Sequence, residues 1–207
     1  MRIFITGSEG FIGSHLVEHL IKHNHKITAL VLYNFSNSIG WLKYIDNNSL
    51  KKIKIIHGDV KDFNFMKKVT KNHDIVINLS ALIGIPYSYQ AVKSYIDTNI
   101  TGCHNLLECT KENNIKQFIH TSTSEVYGSA QKIPIREDHQ INSQSPYAAT
   151  KASADQLCLS YFKSFDLPVT ILRPFNTFGP RQSNRAIIPV IINQLLNQKK
   201  YIKVGNI

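Results

Sequence analysis

Acidic residues are scarce in this 207-residue chain: 14 Asp and Glu stand against 24 Lys and Arg, for a formal net charge of +10. Charged residues make up only 18% of the chain, so the excess reflects missing acids rather than a dense basic face. The lysines at 51, 52 and 54 and at 67, 68 and 71 read as solvated faces, with no aromatic-interleaved basic strand beside them, and no nucleic-acid partner is expected. Cysteine is equally sparse. Cys103, Cys109 and Cys158 are odd in number and lack Cys-x-x-Cys spacing, which reads as reduced thiols of a cytoplasmic protein with no metal site. Long apolar runs are missing too: the stretch from Ile75 to Val92 is interrupted by Asn78, Ser80, Pro86, Ser88 and Gln90, and the run Met1–Ile5 is too short for a signal-peptide core. No membrane association is expected. What is present, 43% hydrophobic and 10% aromatic residues, excludes a disordered chain. A chain of this length buries roughly 70% of the surface its unfolded form exposes.

Strand-length apolar runs alternate with longer helical patterns, which predicts βαβ units and a doubly wound parallel sheet of the Rossmann type. Strands are expected at 2–6, 26–33, 52–57, 74–79, 117–123 and 169–173, and helices at 11–23, 63–70, 91–113 and 147–165. Two long loops, 80–90 and 124–146, begin at carboxyl ends of strands, where open parallel sheets bind ligands. After Arg173 the chain turns Pro- and Gly-rich, then suggests a helix at 187–197 and a short strand at 201–204. The expected division is a nucleotide-binding domain over 1–174 and the beginning of a substrate-binding region over 175–207.

The first strand ends in Thr6-Gly7-Ser8-Glu9-Gly10-Phe11-Ile12-Gly13, opening directly into a helix. Glycines at such a turn let a pyrophosphate approach the backbone, and the helix N-terminus offers unpaired N–H groups; the same glycines could serve only the tight turn. Asp59-Val60 follows the third strand, where the carboxylate suits either an adenine contact or a helix cap. Leu79-Ser80-Ala81 leaves room at the fourth strand's end for a ribose and nicotinamide. The strongest signal is Tyr147-Ala148-Ala149-Thr150-Lys151, preceded by Thr121-Ser122-Thr123. Residues four apart share a helical face, so the Lys151 ammonium can favour the Tyr147 phenolate. A tyrosine base near neutrality needs its pKa lowered by roughly three units.

These motifs together resemble the extended short-chain dehydrogenases/reductases, in particular their NAD-dependent epimerase/dehydratase group acting on nucleotide sugars. Thr6–Leu16 is similar to the family's cofactor turn, Tyr147 and Lys151 to its catalytic pair, Thr123–Gly128 to its catalytic strand end, and Arg173–Arg181 to the entry of its substrate domain. The resemblance implies that Thr123, Ser124, Glu125, Tyr147 and Lys151 are catalytic. It implies a cofactor, NAD or NADP, held by Gly7, Gly10, Phe11, Ile12, Gly13, Asp59, Val60, Leu79, Ser80, Ala81, Asn99, Thr121, Tyr147, Lys151 and Pro174. Ile85, Tyr87, Ser124, Glu125, Asn176, Arg181 and Arg185 would meet a nucleotide-sugar substrate. Ser124-Glu125 fits a dehydratase acid and base pair, while UDP-glucuronate decarboxylases share the surrounding motif. The segments 83–90 and 97–102 look more like GDP-N-acetylglucosamine 4,6-dehydratases, which favours 4,6-dehydration of a GDP- or UDP-N-acetylhexosamine over decarboxylation, epimerisation or a catalytically silent dinucleotide-binding module. A homodimer through a four-helix bundle is also implied, with Leu106, Leu107, Leu157, Leu159 and Phe162 as the surplus apolar residues. Two departures stand out. The second strand ends in Leu32-Tyr33-Asn34-Phe35-Ser36-Asn37, with neither the acid that binds a ribose 2′-hydroxyl nor an arginine for a 2′-phosphate. Family members also continue for roughly another half-domain, so the resemblance implies a truncated chain.

Overall fold

The computed structural model describes residues 1–198 and 201–204. Six strands, β1 (Arg2–Thr6), β2 (Lys26–Leu32), β3 (Ile53–Gly58), β4 (Ile75–Asn78), β5 (Gln117–Thr121) and β6 (Val169–Leu172), form one sheet in the order β3-β2-β1-β4-β5-β6. Every pairing is parallel. The chain steps outward from β1 to β3, then returns to β4 on the other side of β1. The strand order therefore reverses between Thr6 and Asn78, which are register partners, and the crevice beyond their carboxyl ends is where such sheets take a ligand.

The helices are α1 (Phe11–Lys22), α2 (Asn47–Leu50), α3 (Phe63–Val69), α4 (Ile85–Ser88), α5 (Val92–Tyr95), α6 (Gly102–Glu112), α7 (Pro146–Phe165) and α8 (Ile187–Leu196). Both sheet faces are covered, as parallel strands require. Alternation along β1 sends Phe4 into one core with Leu30, Val76, Leu106, Leu107 and Phe118, while Ile3 and Ile5 pack with Val17, Ile21, Val31 and Leu42 on the other. Local chemistry sets the helix starts. Asp62 accepts from the Phe65 N–H to cap α3, and Ser145 accepts from Ala148 N–H ahead of Pro146 to cap α7.

Several expectations need correction. The helix expected at 91–113 contains a wider π-helical stretch, Ile96–Thr101, between α5 and α6. It carries Asn99, whose amide oxygen accepts from Leu82 N–H and whose amide nitrogen donates to Leu82 O and Thr150 Oγ1. The strand expected to run to Thr123 stops at Thr121, because the Thr123 hydroxyl accepts from the Glu125 N–H and starts a 3-10 turn over Ser124–Tyr127. The expected loop after β4 contains α4. Residues 201–204 form no strand: the Gln194 side-chain amide takes both backbone groups of Lys203, at 2.7 Å each. Leu106 and Leu107 are fully buried in the core and Leu157 packs against it, so none of the three is surplus. The chain packs as two compact units, Met1–Phe175 and Asn176–Ile207. The second holds α8, which buries none of its residues. No helix among the described residues is long and apolar enough to cross a membrane.

Candidate active site

The turn after β1 is closed by steric necessity. Gly7 adopts φ +64°, and a Cβ there would stand 2.8 Å from the Leu79 carbonyl at the end of β4. A Cβ on Gly13 would fall 2.1 Å from Gly7 O. Gly10 is different: it forms the α1 N-cap without a side-chain bond, and its Cβ would meet only Gly7 O, at 3.3 Å. The first helical N–H groups thus lack a capping side chain, the arrangement that accepts anions. Thr6 Oγ1 accepts from Leu79 and Ser80 N–H, tying the turn to the ends of β1 and β4.

Asp59 and Val60 stand after β3. The Asp59 carboxylate is bonded in its own turn, accepting from Lys61 N–H at 3.0 Å with Lys61 Nζ 3.3 Å away, and Val60 is buried against Gly102. Asn99 lies buried, with its amide committed to Leu82 and Thr150. Tyr87 of α4 is half-exposed and continues an aromatic row through Tyr95 to Tyr147, with ring centroids 6.1 and 6.4 Å apart.

On α7, Tyr147 and Lys151 face the end of β5. Both are buried, Lys151 with 2% of its surface exposed. The Lys151 ammonium donates to Thr121 O at 2.7 Å. Burial pushes the Tyr147 phenol above its ordinary value and the nearby Glu125 charge adds to this, while a hydrogen bond from the Thr123 side chain works in the opposite direction. In the chain alone, desolvation outweighs the Thr123 bond. Burial likewise depresses the Lys151 ammonium, with Cys103 and Asp155 partly offsetting it. Thr123 and Glu125 lie beside Tyr147, Lys151 follows one turn along α7, and Ser124 N–H donates to Pro174 O at 3.0 Å. Asn176, half-buried Arg181 and exposed Arg185 belong to the second unit.

Behind this cluster lies a buried polar chain that sequence reasoning missed. Thr6 Oγ1 donates to Asn78 Oδ1 at 2.8 Å, and Asn78 Nδ2 stands 3.3 Å from His120 Nδ1. His120 Nε2 is 3.5 Å from Lys151 Nζ and 3.7 Å from Asp155 Oδ1. Asp155 Oδ2 accepts from Arg173 Nε at 2.9 Å, and Arg173 Nη1 donates to Tyr127 Oη at 2.8 Å. A signal existed: Asp155 falls one further turn along the Tyr147–Lys151 face, and His120 breaks an apolar strand at an inward position. The three cysteines are free and buried, and burial pushes the Cys109 thiol up to about 12. Cys103, Cys158 and His120 bring three ligand-capable atoms within 4.8 Å of one another, but the neighbouring Lys151 ammonium opposes a cation there.

A 3-2-1-4-5-6 parallel sheet, a glycine turn at its switch point and a buried Tyr-x-x-x-Lys pair at the end of β5 define an extended short-chain dehydrogenase/reductase. The family model described as GDP-mannose 4,6 dehydratase matches residues 4–207, and the chain belongs to that family. It is 38% identical to the dTDP-D-glucose 4,6-dehydratase of Dictyostelium discoideum over 96% of this chain and 49% of that protein. Among solved structures, a DesIV double mutant, a dTDP-glucose 4,6-dehydratase from Streptomyces venezuelae with NAD bound, superposes with TM-score 0.88 at 28% identity, covering 96% of this chain and 63% of that one. The UDP-N-acetylglucosamine 4-epimerase of Methanobrevibacter ruminantium M1, in complex with UDP-N-acetylmuramic acid, does so with TM-score 0.88 at 35% identity, over 99% and 66%. The chain spans about half to under two thirds of the length of the curated relatives it matches.

Proposed function

We propose that the chain carries the dinucleotide-binding and catalytic portion of a nucleotide-sugar 4,6-dehydratase, acting in the cytoplasm on a GDP- or UDP-N-acetylhexosamine with NAD or NADP. The observation that supports this most is Thr123 and Glu125 beside Tyr147, with buried Lys151 one helical turn away and bonded to Thr121 O at the end of β5. The glycine turn fits the cofactor's pyrophosphate: Gly13 and Gly7 cannot carry a Cβ, while Gly10 leaves the start of α1 open. Phe11 and Ile12 contribute N–H groups to that cradle, and Asp59 and Val60 are assigned to the adenine. Leu79, Ser80, Ala81, Thr121 and Pro174 line the way to the nicotinamide, with Asn99 bracing the wall.

When bound, the nicotinamide supplies hydride acceptance at the sugar's C4 and hydride return at C6. The chain's own groups handle protons. Tyr147, as the phenolate that the Lys151 ammonium and the positive charge of a bound oxidised nicotinamide would favour, takes the proton of the C4 hydroxyl at Oη and becomes the phenol, while Thr123 orders that hydroxyl. A ketone at C4 acidifies C5–H. Glu125 removes that proton and passes it to the departing C6 hydroxyl, which Ser124 hydrogen-bonds, so that one water is eliminated across C5 and C6. Ile85 and Tyr87 are assigned to the sugar, and Asn176, Arg181 and Arg185 to the diphosphate, the arginines through charge-assisted bonds.

The protein incubated with NAD and GDP- or UDP-N-acetylglucosamine should yield a product lighter by one water, read by mass spectrometry. Glu125→Gln should slow exchange of the C5 hydrogen with deuterated solvent by at least ~100-fold, the lower range for a lost general base. A product of unchanged mass would favour an epimerase, a reading supported by the 35% identity to the M. ruminantium enzyme. Loss of carbon dioxide from UDP-glucuronate, with no dehydrated product from either N-acetylglucosamine nucleotide, would replace dehydration by decarboxylation.

A further inference from the structure

β2 ends at Leu32 without an acid, yet a carboxylate stands there. Glu9, inside the glycine turn, reaches across from β1, and its Oε1 accepts from the Leu32 N–H at 2.9 Å. Its second oxygen, Oε2, is occluded from bulk water and meets no hydrogen-bond donor among the described residues. Such an oxygen is unsatisfied until a donor reaches it. The loop after β2 is shaped around this side chain. Trp41 N–H donates to Glu9 O at 2.9 Å, and Gly40 adopts φ +55° so tightly that a Cβ would fall 2.8 Å from Glu9 Cβ. Asn34 folds the intervening residues, its amide nitrogen donating to Leu32 O and Ser38 O while its oxygen accepts from Ser38 N–H. From Tyr33 to Trp41 the chain offers no Lys or Arg.

In dinucleotide-binding sheets, the end of the second strand is where the adenosine ribose is read, by an acid for a free 2′-hydroxyl or a cation for a 2′-phosphate. We propose that Glu9 reads that ribose from the glycine turn, accepting from the 2′-hydroxyl and repelling a 2′-phosphate, so that the chain takes NAD and rejects NADP. The inference rests on the dinucleotide reading given above. It assigns to the turn a task that the sequence pattern places on the strand. A phosphate ester beside Glu9 would set like charges together with no cation from the Tyr33–Trp41 loop to separate them, whereas a hydroxyl adds the missing donor.

Trp41, the one tryptophan of the chain, donates its backbone N–H to Glu9 O and serves as the fluorescence probe. Dissociation constants for NAD and NADP are measured by Trp41 fluorescence and, independently, by equilibrium dialysis, on the wild-type chain and on Glu9→Gln. Gln at this position still accepts from the Leu32 N–H, so the turn keeps its shape. The wild type should bind NAD more tightly than NADP by at least about tenfold, the scale of one charge-assisted bond, and Glu9→Gln should bring the two within about threefold, chiefly by gaining NADP affinity. An NADP-preferring wild type, or an unchanged ratio in Glu9→Gln, overturns the role of Glu9 while leaving dinucleotide binding intact. A wild type that binds neither dinucleotide overturns the cofactor reading and this inference with it. Should Glu9→Gln fail to fold, the wild-type ratio decides alone.

Discussion

Gly10 and Gly13 stand in one turn and tolerate very different replacements. A methyl at Gly13 would sit 2.1 Å from Gly7 O, backbone against backbone, whereas one at Gly10 needs a shift of a few tenths of an ångström. Gly13→Ala should therefore cost about 3 kcal/mol or more in chemical denaturation, at the upper end for overpacking. Gly10→Val should fold normally and lose dinucleotide binding, because its branches project into the phosphate path. Unchanged NAD affinity in Gly10→Val would remove the turn from the cofactor site. Lys151 gives a pH-dependent counterpart. Its ammonium is depressed below the ordinary 10.5 by burial, so between the folded and unfolded values the unfolded chain binds more protons. The Lys151 contribution to stability should rise with pH across that window, opposed above pH 9.0 by the Cys109 thiol, which burial raises to about 12. Below pH 10 nothing from Tyr147 opposes it, since the phenol is raised above its ordinary value of 10.0 and acts only at higher pH. Lys151→Met should abolish this rise in urea titrations and lower turnover at least ~100-fold. A wild-type slope preserved in Lys151→Met would mean that another group carries it.

At the level of elements, the sequence is most legible where one period dominates. β1 was readable because Ile3, Phe4 and Ile5 run straight into Thr6-Gly7, and α7 because Ser145-Pro146 announces its start. Its legibility fails where a side chain competes with the backbone pattern. Thr123 looks like strand, but its hydroxyl captures Glu125 N–H and turns the chain. Asn99 sits in an ordinary helical pattern, and only its long-range bonds to Leu82 and Thr150 accompany the wider turn. Residues 201–204 have strand composition, yet Gln194 occupies the Lys203 backbone groups that a neighbouring strand would need. The same limit governs the site. Tyr147 and Lys151 are visible as a spacing, whereas Glu9 at the end of β2 depends on a contact between elements that no local window contains.

Across the whole molecule, the apolar surface left over on α7 is smaller than the sequence suggests and differently placed. With Leu106 and Leu107 inside the core, the exposed residues are Leu159, Phe162 and Phe165, the two phenylalanines each 53% exposed. A homodimer formed through that face should dissociate in Phe162→Glu, with sedimentation velocity shifting from dimer to monomer at micromolar concentration. A wild type that sediments as a monomer would rule the assembly out. The buried chain that crosses the sheet from Thr6 to Arg173 has a consequence for where protons can travel. Thr6 Oγ1 already accepts two backbone N–H groups, so its own hydrogen goes to Asn78 Oδ1 and the Asn78 amide nitrogen points at His120. An imidazole that accepts the Asn78 hydrogen at Nδ1 carries its own on Nε2, the atom facing both Asp155 and Lys151. With a hydrogen already on that nitrogen, the ring offers the lysine's protons no lone pair, and the polar chain ends at His120 as a proton path.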